Sequence, residues 1–265
     1  CVDSDGCAMD TMDIKHMRCF GPHMVTEWEL EQWRSEILAR WNEINLYTMT
    51  RGVNRFRALA MILGEVRENY CEIEDLESLE QWTQTSPELT NDALERAIAQ
   101  SESICLQKAL SWSDAVDKSV AQLTQDEKRP FEGVRRALAR AHRYADIAIV
   151  SNANLGIVLD EWDLYGLLEH TDIVLAQDSG SKAHCIDALV KMGYAKKHVL
   201  MCGDAPDDLD AARENGVLFY PILVNHENES WAEFISEGFE RLLNGNYAGE
   251  YQQDKIDKFL KNLGG

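Results

Sequence analysis

An α/β fold with a parallel sheet, interrupted by an all-helical insertion, is predicted by three features of the 265-residue sequence. From residue 146 onward, short apolar runs alternate with stretches of helical period. Between residues 13 and 129 the helical period dominates and β-branched runs are absent. Acidic or hydroxyl residues stand directly after several apolar runs. Strands that alternate with helices imply parallel pairing, with the helices covering both faces of the sheet. Such sheets hold their ligands outside the carboxyl ends of the strands.

The chain opens on Cys1-Val-Asp-Ser-Asp-Gly-Cys-Ala-Met-Asp-Thr11. Asp3 and Asp5 are two apart, so an extended backbone points both to one side. Gly6 then permits a sharp turn. An EF-hand loop is excluded by spacing, since it places its glycine sixth and a glutamate twelfth. Only Cys1 and Val2 precede Asp3, so the numbering is expected to begin within a first strand. Apolar residues at helical spacing predict helices over 25–45, 54–70, 73–83, 91–110 and 113–123. Trp28, Trp33, Trp41, Trp82 and Trp112 are expected to form the core of this insertion.

Arg129-Pro130 punctuates the end of the helices, and a helix is predicted over 134–144. Strands follow over 146–150, 172–176, 198–202 and 217–223. Helices over 156–168, 182–192 and 205–215 separate them. The tail to residue 263 reads as helical, and Gly264-Gly265 is expected to fray. The chain thus divides into an α/β core of residues 1–12 and 130–265 and a helical domain of residues 13–129. After the run at 198–202 come Gly203, Asp204, Asp207 and Asp208. Carboxylates crowded at a strand end repel one another and call for a cation, unless they serve only as helix caps beside Pro206.

A net charge of −20 argues against nucleic acid and anionic membranes as partners. No apolar stretch approaches the ~18 residues that span a bilayer. Seven cysteines include no Cys-x-x-Cys pair, which fits reduced thiols and a cytoplasmic location. An anionic substrate would need a local cluster of cations. Arg51, Arg55 and Arg57 form one such basic knot, and Arg51 and Arg55 are spaced to share a helical face. The knot either meets an anionic part of a substrate or pairs with acids such as Glu65 and Glu68.

Four pieces stand in a fixed order: Asp3-x-Asp5-Gly6, Ser151, Lys182, and Gly203-Asp204-x-x-x-Asp208. With the helical insertion between the first two, the chain resembles the haloacid dehalogenase-like hydrolase superfamily, in its phosphatase-type members with a helical cap (phosphoglycolate phosphatase-like or β-phosphoglucomutase-like). The resemblance implies a Rossmann-like core with an inserted cap domain. It implies a phosphoric monoester hydrolase that uses Mg²⁺ and an aspartyl-phosphate intermediate on a small phosphorylated metabolite. Asp3 would be the nucleophile, and Asp5 the acid and then the base. Ser151 would bind a phosphoryl oxygen and Lys182 would neutralise charge. Asp3, the backbone carbonyl of Asp5, Asp204 and Asp208 would serve the metal, with Asp207 the competitor of Asp208. Asn152, Arg51, Arg55 and His16 are candidate substrate contacts. A monomer or homodimer is expected.

Two departures and two alternatives remain. Cys7 and Ala8 stand where the family usually carries threonine and an apolar residue, and a thiol orders a loop less well than a hydroxyl. Cys7 also raises oxidation control. His16, shortly after the first motif, keeps a sugar-phosphate mutase open. A non-catalytic binding protein on the same fold is the other alternative. Asp5 favours phosphate ester chemistry, since dehalogenating members do not depend on an acid there.

Overall fold

The computed structural model describes residues 1–264, and Gly265, with its expected fraying, lies outside them. The chain divides into two compact units, Cys1–Met12 with Thr124–Gly265, and Asp13–Leu123. The second crossing falls at Thr124 rather than Pro130. Thr124 opens a capping box with Glu127, and the carbonyls of Gln125 and Arg129 already bond Tyr165 and the amide of Asp10.

The helical unit runs from α1 (Met12–Lys15) through α2 (Gly21–Glu27), α3 (Arg34–Asn42), α4 (Arg55–Asn69), α5 (Leu76–Thr85), α6 (Asn91–Ile98) and α7 (Ile104–Ala121). Wider π-type turns at His16–Phe20 and Glu43–Tyr47 connect some of them. The helix expected over 25–45 is broken. Glu29 takes a left-handed conformation, φ 57°, and the Leu30 amide turns back to Val25 O, which drops Leu30 into the core. The helix expected over 91–110 breaks as well, because Ser103 accepts from the Leu106 amide and starts α7 afresh. α7 then runs straight through Ser113, where a separate helix was expected.

Trp112 anchors the core of this unit. Its ring meets Trp41, Phe20 and Phe56 edge-on at 6.1, 6.0 and 6.1 Å, and its Nε1 donates to Phe20 O. Trp28 and Trp82 are buried too. Trp33 is only half-buried and leans on Tyr70, so it lies at the margin of the core.

In the other unit, α8 (Val134–Ala141) leads to β1 (Ala148–Val150), α9 (Leu155–Leu164), β2 (Ile173–Leu175), α10 (Lys182–Lys191), β3 (Leu200–Gly203), α11 (Pro206–Asn215) and β4 (Leu218–Pro221). The tail forms α12 (Glu227–Glu233), α13 (Phe239–Leu243) and α14 (Glu250–Asn262). β1 pairs β2 and β3 pairs β4, both in parallel. Val2 joins the two pairs by bridging Ile149 and Cys202, again in parallel. The sheet order is therefore β2, β1, the Cys1–Asp3 segment, β3, β4. The strands are shorter than their apolar runs. At the start of β1, for example, the Ile147 amide bonds the Asp172 carboxylate instead of a ladder partner.

Alternation along the strands divides the core. Val2, Ile149, Leu200 and Cys202 pack on one face with α8, α9 and the aromatic side chains Trp231, Phe234 and Phe239. Ala148, Val150, Met201 and Phe219 pack on the other face with α10, α11 and α14. Both faces being apolar, the strands read as continuous hydrophobic runs, as buried parallel strands do. Among the described residues, no helix is long and apolar enough to cross a membrane.

Candidate active site

Asp3 ends the central segment of the sheet. The chain leaves it toward β1 and β2 on one side and β3 and β4 on the other, so Asp3 lies where the strand order reverses. Hydrogen bonds from Val2 N to Ala148 O and from Asp3 N to Cys202 O fix its backbone to both neighbours. Gly6, at φ 81°, turns the chain back, and the amides of Cys7, Ala8 and Met9 all point to the Ser4 carbonyl.

Three other strand or helix ends bring their side chains to Asp3. Lys182 is the first residue of α10, whose N-terminus Ser181 caps. Its Nζ lies 3.0 Å from Asp3 Oδ2 and 2.6 Å from Asp208 Oδ1. Asp208 sits in the first turn of α11, and its Oδ2 accepts from the Ala205 amide at 3.0 Å. Asp204 follows β3 directly. Carboxylate oxygens of Asp3, Asp204 and Asp208 all lie within 4.8 Å of one another. Lys182, Asp3, Asp204 and Asp208 are all buried. Gly203 makes this possible, because a Cβ there would stand 2.2 Å from Asp208 Cγ.

The electrostatics follow from crowding. Burial pushes the Asp3 carboxyl up, and Lys182 pulls it partly back. Burial pushes Asp208 well above the usual carboxylate range, with Asp3 and Asp204 adding repulsion against the pull of Lys182. Burial opposes the charge on Lys182, but Asp208 and Asp3 hold its pKa well above the usual value for lysine. One ammonium stands beside two of three clustered carboxyl groups, a set of oxygen donors that suits a hard cation. The two oxygens of Asp208 accept from Lys182 and the Ala205 amide, so Asp208 orients the lysine while it stays within the group of three carboxylates that could hold a metal ion. Asp207 is exposed, and its Oδ2 accepts from Asn152 Nδ2 at 3.0 Å.

Asp5 accepts a 2.6 Å hydrogen bond at Oδ1 from Thr11 Oγ1. Sequence reasoning missed Thr11. The sign was a hydroxyl residue just past the Gly6 turn, on the returning limb of the loop. The Cys7 thiol instead donates to Cys202 O, and burial raises its pKa well above the ordinary value. Cys7 is therefore a buried, protonated thiol, a poor target for oxidation. Ser151 closes β1, and its Oγ accepts from the Ala153 amide.

The candidate substrate contacts Arg51, Arg55 and His16 each make at least one contact inside the helical unit. Arg51 and Arg55 do not share a helical face, because α4 starts at Arg55 and Arg51 lies in the preceding turn. Buried Arg51 donates to Leu46 O at 2.7 Å. Arg55 pairs with Asp117 at 2.7 Å and lies over the Phe20 ring. Glu65, a proposed partner of the knot, pairs with Arg40. His16 stacks on Phe20 with ring centroids 4.7 Å apart.

Acids at the carboxyl ends of a parallel sheet and a lysine at a helix start place the candidate site where open α/β folds hold their ligands. The chain belongs to the haloacid dehalogenase-like hydrolases: the family profile matches residues 53–222. The matched span contains Ser151, Lys182, Asp204 and Asp208 and begins after Asp3 and Asp5. An inferred phosphoglycolate phosphatase from Lactobacillus delbrueckii subsp. bulgaricus shares the fold, with a TM-score of 0.51 and 18% identity over 82% of each chain. A haloacid dehalogenase-like hydrolase from Streptococcus pneumoniae gives a TM-score of 0.49 at 15% identity, over 87% of this chain and 88% of its own. An inferred phosphoglycolate phosphatase from Haemophilus somnus gives 0.48 at 14%, over 83% and 82%. No curated protein sequence matches this one significantly.

Proposed function

We propose that this hydrolase cleaves a phosphoric monoester of a small metabolite in the cytoplasm, with Asp3 as nucleophile and Mg²⁺ as cofactor. The observation that carries the reading is the buried lysine held between Asp3 and Asp208, beside Asp204 at the reversal point of the sheet. Asp3 attacks phosphorus in line, and the bond from phosphorus to the leaving oxygen breaks. Protonated Asp5 gives its proton to that oxygen. The hydrogen bond from Thr11 to Oδ1 of Asp5 helps to orient this carboxyl. Asp5 then takes a proton from water as the water attacks the aspartyl phosphate, and Asp3 and inorganic phosphate are released. Lys182 balances charge on Asp3 and the transferring group, and Ser151 donates to a phosphoryl oxygen. Asp204 and Asp3, with the Asp5 carbonyl and with Asp208 directly or through water, would hold the cation, which when bound supplies charge neutralisation on the phosphoryl oxygens.

Phosphate release from p-nitrophenyl phosphate, with Mg²⁺ and with EDTA, tests the reading. Release is expected only with metal, and Asp3→Asn is expected to cut it by at least ~10³-fold. Release that survives Asp3→Asn would remove Asp3 from the reaction.

A further inference from the structure

Two buried tryptophans grip the loop that carries Asp3 and Asp5. Trp162 Nε1 donates to Ser4 Oγ at 2.9 Å, and Trp231 Nε1 donates to Cys7 O at 2.8 Å. Both indoles are fully buried. Ser4 lies between the two acids, and Cys7 follows the Gly6 turn, so the bonds hold the loop on either side of Asp5. They come from different parts of the unit. Trp162 is on α9, whereas Trp231 is on α12, beyond the span the family profile matches. Trp231 is itself fixed by Phe234, edge-on at 5.6 Å. The remaining polar atoms of Cys7 are also committed, its amide to Ser4 O and its thiol to Cys202 O.

A buried Ser hydroxyl or backbone carbonyl that loses its donor keeps its desolvation cost. The loop would then move to recover a partner, and reacting carboxylates displaced by a fraction of an ångström lose rate steeply. We propose that Trp162 and Trp231 are positioning residues that set the aim of Asp3 and Asp5, so that the tail helix α12 is part of the catalytic apparatus. This rests on the phosphatase reading only for its kinetic arm.

The test compares wild type with Trp231→Phe, which keeps a ring but removes the N–H, and with Ser4→Ala, which removes the other acceptor without opening a large cavity. Two readouts are taken: amide hydrogen exchange in the peptide covering residues 1–12, and kcat and KM for p-nitrophenyl phosphate with Mg²⁺. The expected result is exchange at least about tenfold faster in residues 4–9, with kcat down about tenfold and KM within about twofold. Trp162→Phe combined with Ser4→Ala is expected to be no worse than either alone, because both remove one bond. Unchanged exchange in residues 4–9, or a kcat loss matched by general unfolding in a thermal melt, would overturn the proposal. If wild type hydrolyses nothing, the phosphatase reading fails, while the exchange comparison still decides the brace.

Discussion

The α/β unit gathers Asp3, Lys182, Asp204 and Asp208 at one point of its sheet, whereas the helical unit spreads its ion pairs around an aromatic core. Arg40–Glu65 and Arg67–Glu77 are partly or largely exposed, and such pairs are worth little individually. Arg55–Asp117 is more sheltered, and the guanidinium also bonds the Ser113 hydroxyl. In the α/β unit the burial of charge is costly and is offset by one lysine and by backbone amides. The contrast teaches that the first unit is arranged for chemistry and the second for packing, so mutations should fail in different ways.

The largest separation of activity from stability is expected at Asp3. Asp3→Asn should abolish turnover while leaving the thermal midpoint unchanged or raised, since it removes a carboxylate that burial disfavours. A large fall in the midpoint would show that Asp3 is a structural partner of Lys182. Lys182→Met should cost about 3–5 kcal/mol in urea unfolding at neutral pH, because two buried carboxylates lose their cation. The sign with pH follows from Asp3 and Asp208, whose folded pKa values are raised. Raised carboxylates destabilise above their unfolded pKa, and the penalty fades as pH falls through the folded value. The deficit of Lys182→Met should therefore shrink on acidification. Trp112→Ala should cost a similar ~3–5 kcal/mol through a cavity, with no such pH dependence. If both deficits respond to pH alike, the contrast between the units breaks.

Thr11→Val should lower kcat by about tenfold and spare KM, since it removes the short hydrogen bond to Asp5 together with a long one to Met9 O. Steady-state kinetics on p-nitrophenyl phosphate distinguish this from a binding defect, which would raise KM alone. The smallest effect is expected at Asp75 in the helical unit. Hydrogen bonds from Ser103 and Ser78 hold its carboxyl below the usual range. Its stabilisation is present above the unfolded pKa and is lost as pH falls through the lower folded value. Asp75→Asn should flatten the fall of stability as pH drops below about 4, by no more than about 1 kcal/mol after solvent screening. An unchanged acid limb would assign that limb to other carboxylates.

The sheet was legible because its first segment, β1 and β3 each lead into a polar residue, Asp3, Ser151 and Asp204. Apolar runs located β1 to β4, and Asp3, Lys182, Asp204 and Asp208 converge once those strands pair in parallel. The helical unit has no such markers. Trp28, Leu30 and Trp33 keep a helical period through a break, because the left-handed turn at Glu29 carries the apolar stripe across it. Ser103 looked like one more polar position in a long helix, yet its hydroxyl starts a new one. Arg51 and Arg55 had helical spacing without a helix between them. Contacts between residues far apart in sequence, such as Trp231 with Cys7, leave no local pattern to read.

The absence of a side chain at Gly203 has a consequence for how this sequence can drift. Any larger residue there occupies the place of the Asp208 carboxylate. A shorter residue at 208 would make room, but it would strand Lys182 beside Asp3 with half its anchorage gone. Neither position can change first without loss, so the pair forms a two-step barrier that single substitutions cannot cross. Deep mutational scanning should find 203 closed even to alanine, and a library varied jointly at 203 and 208 should recover folded chains but not active ones.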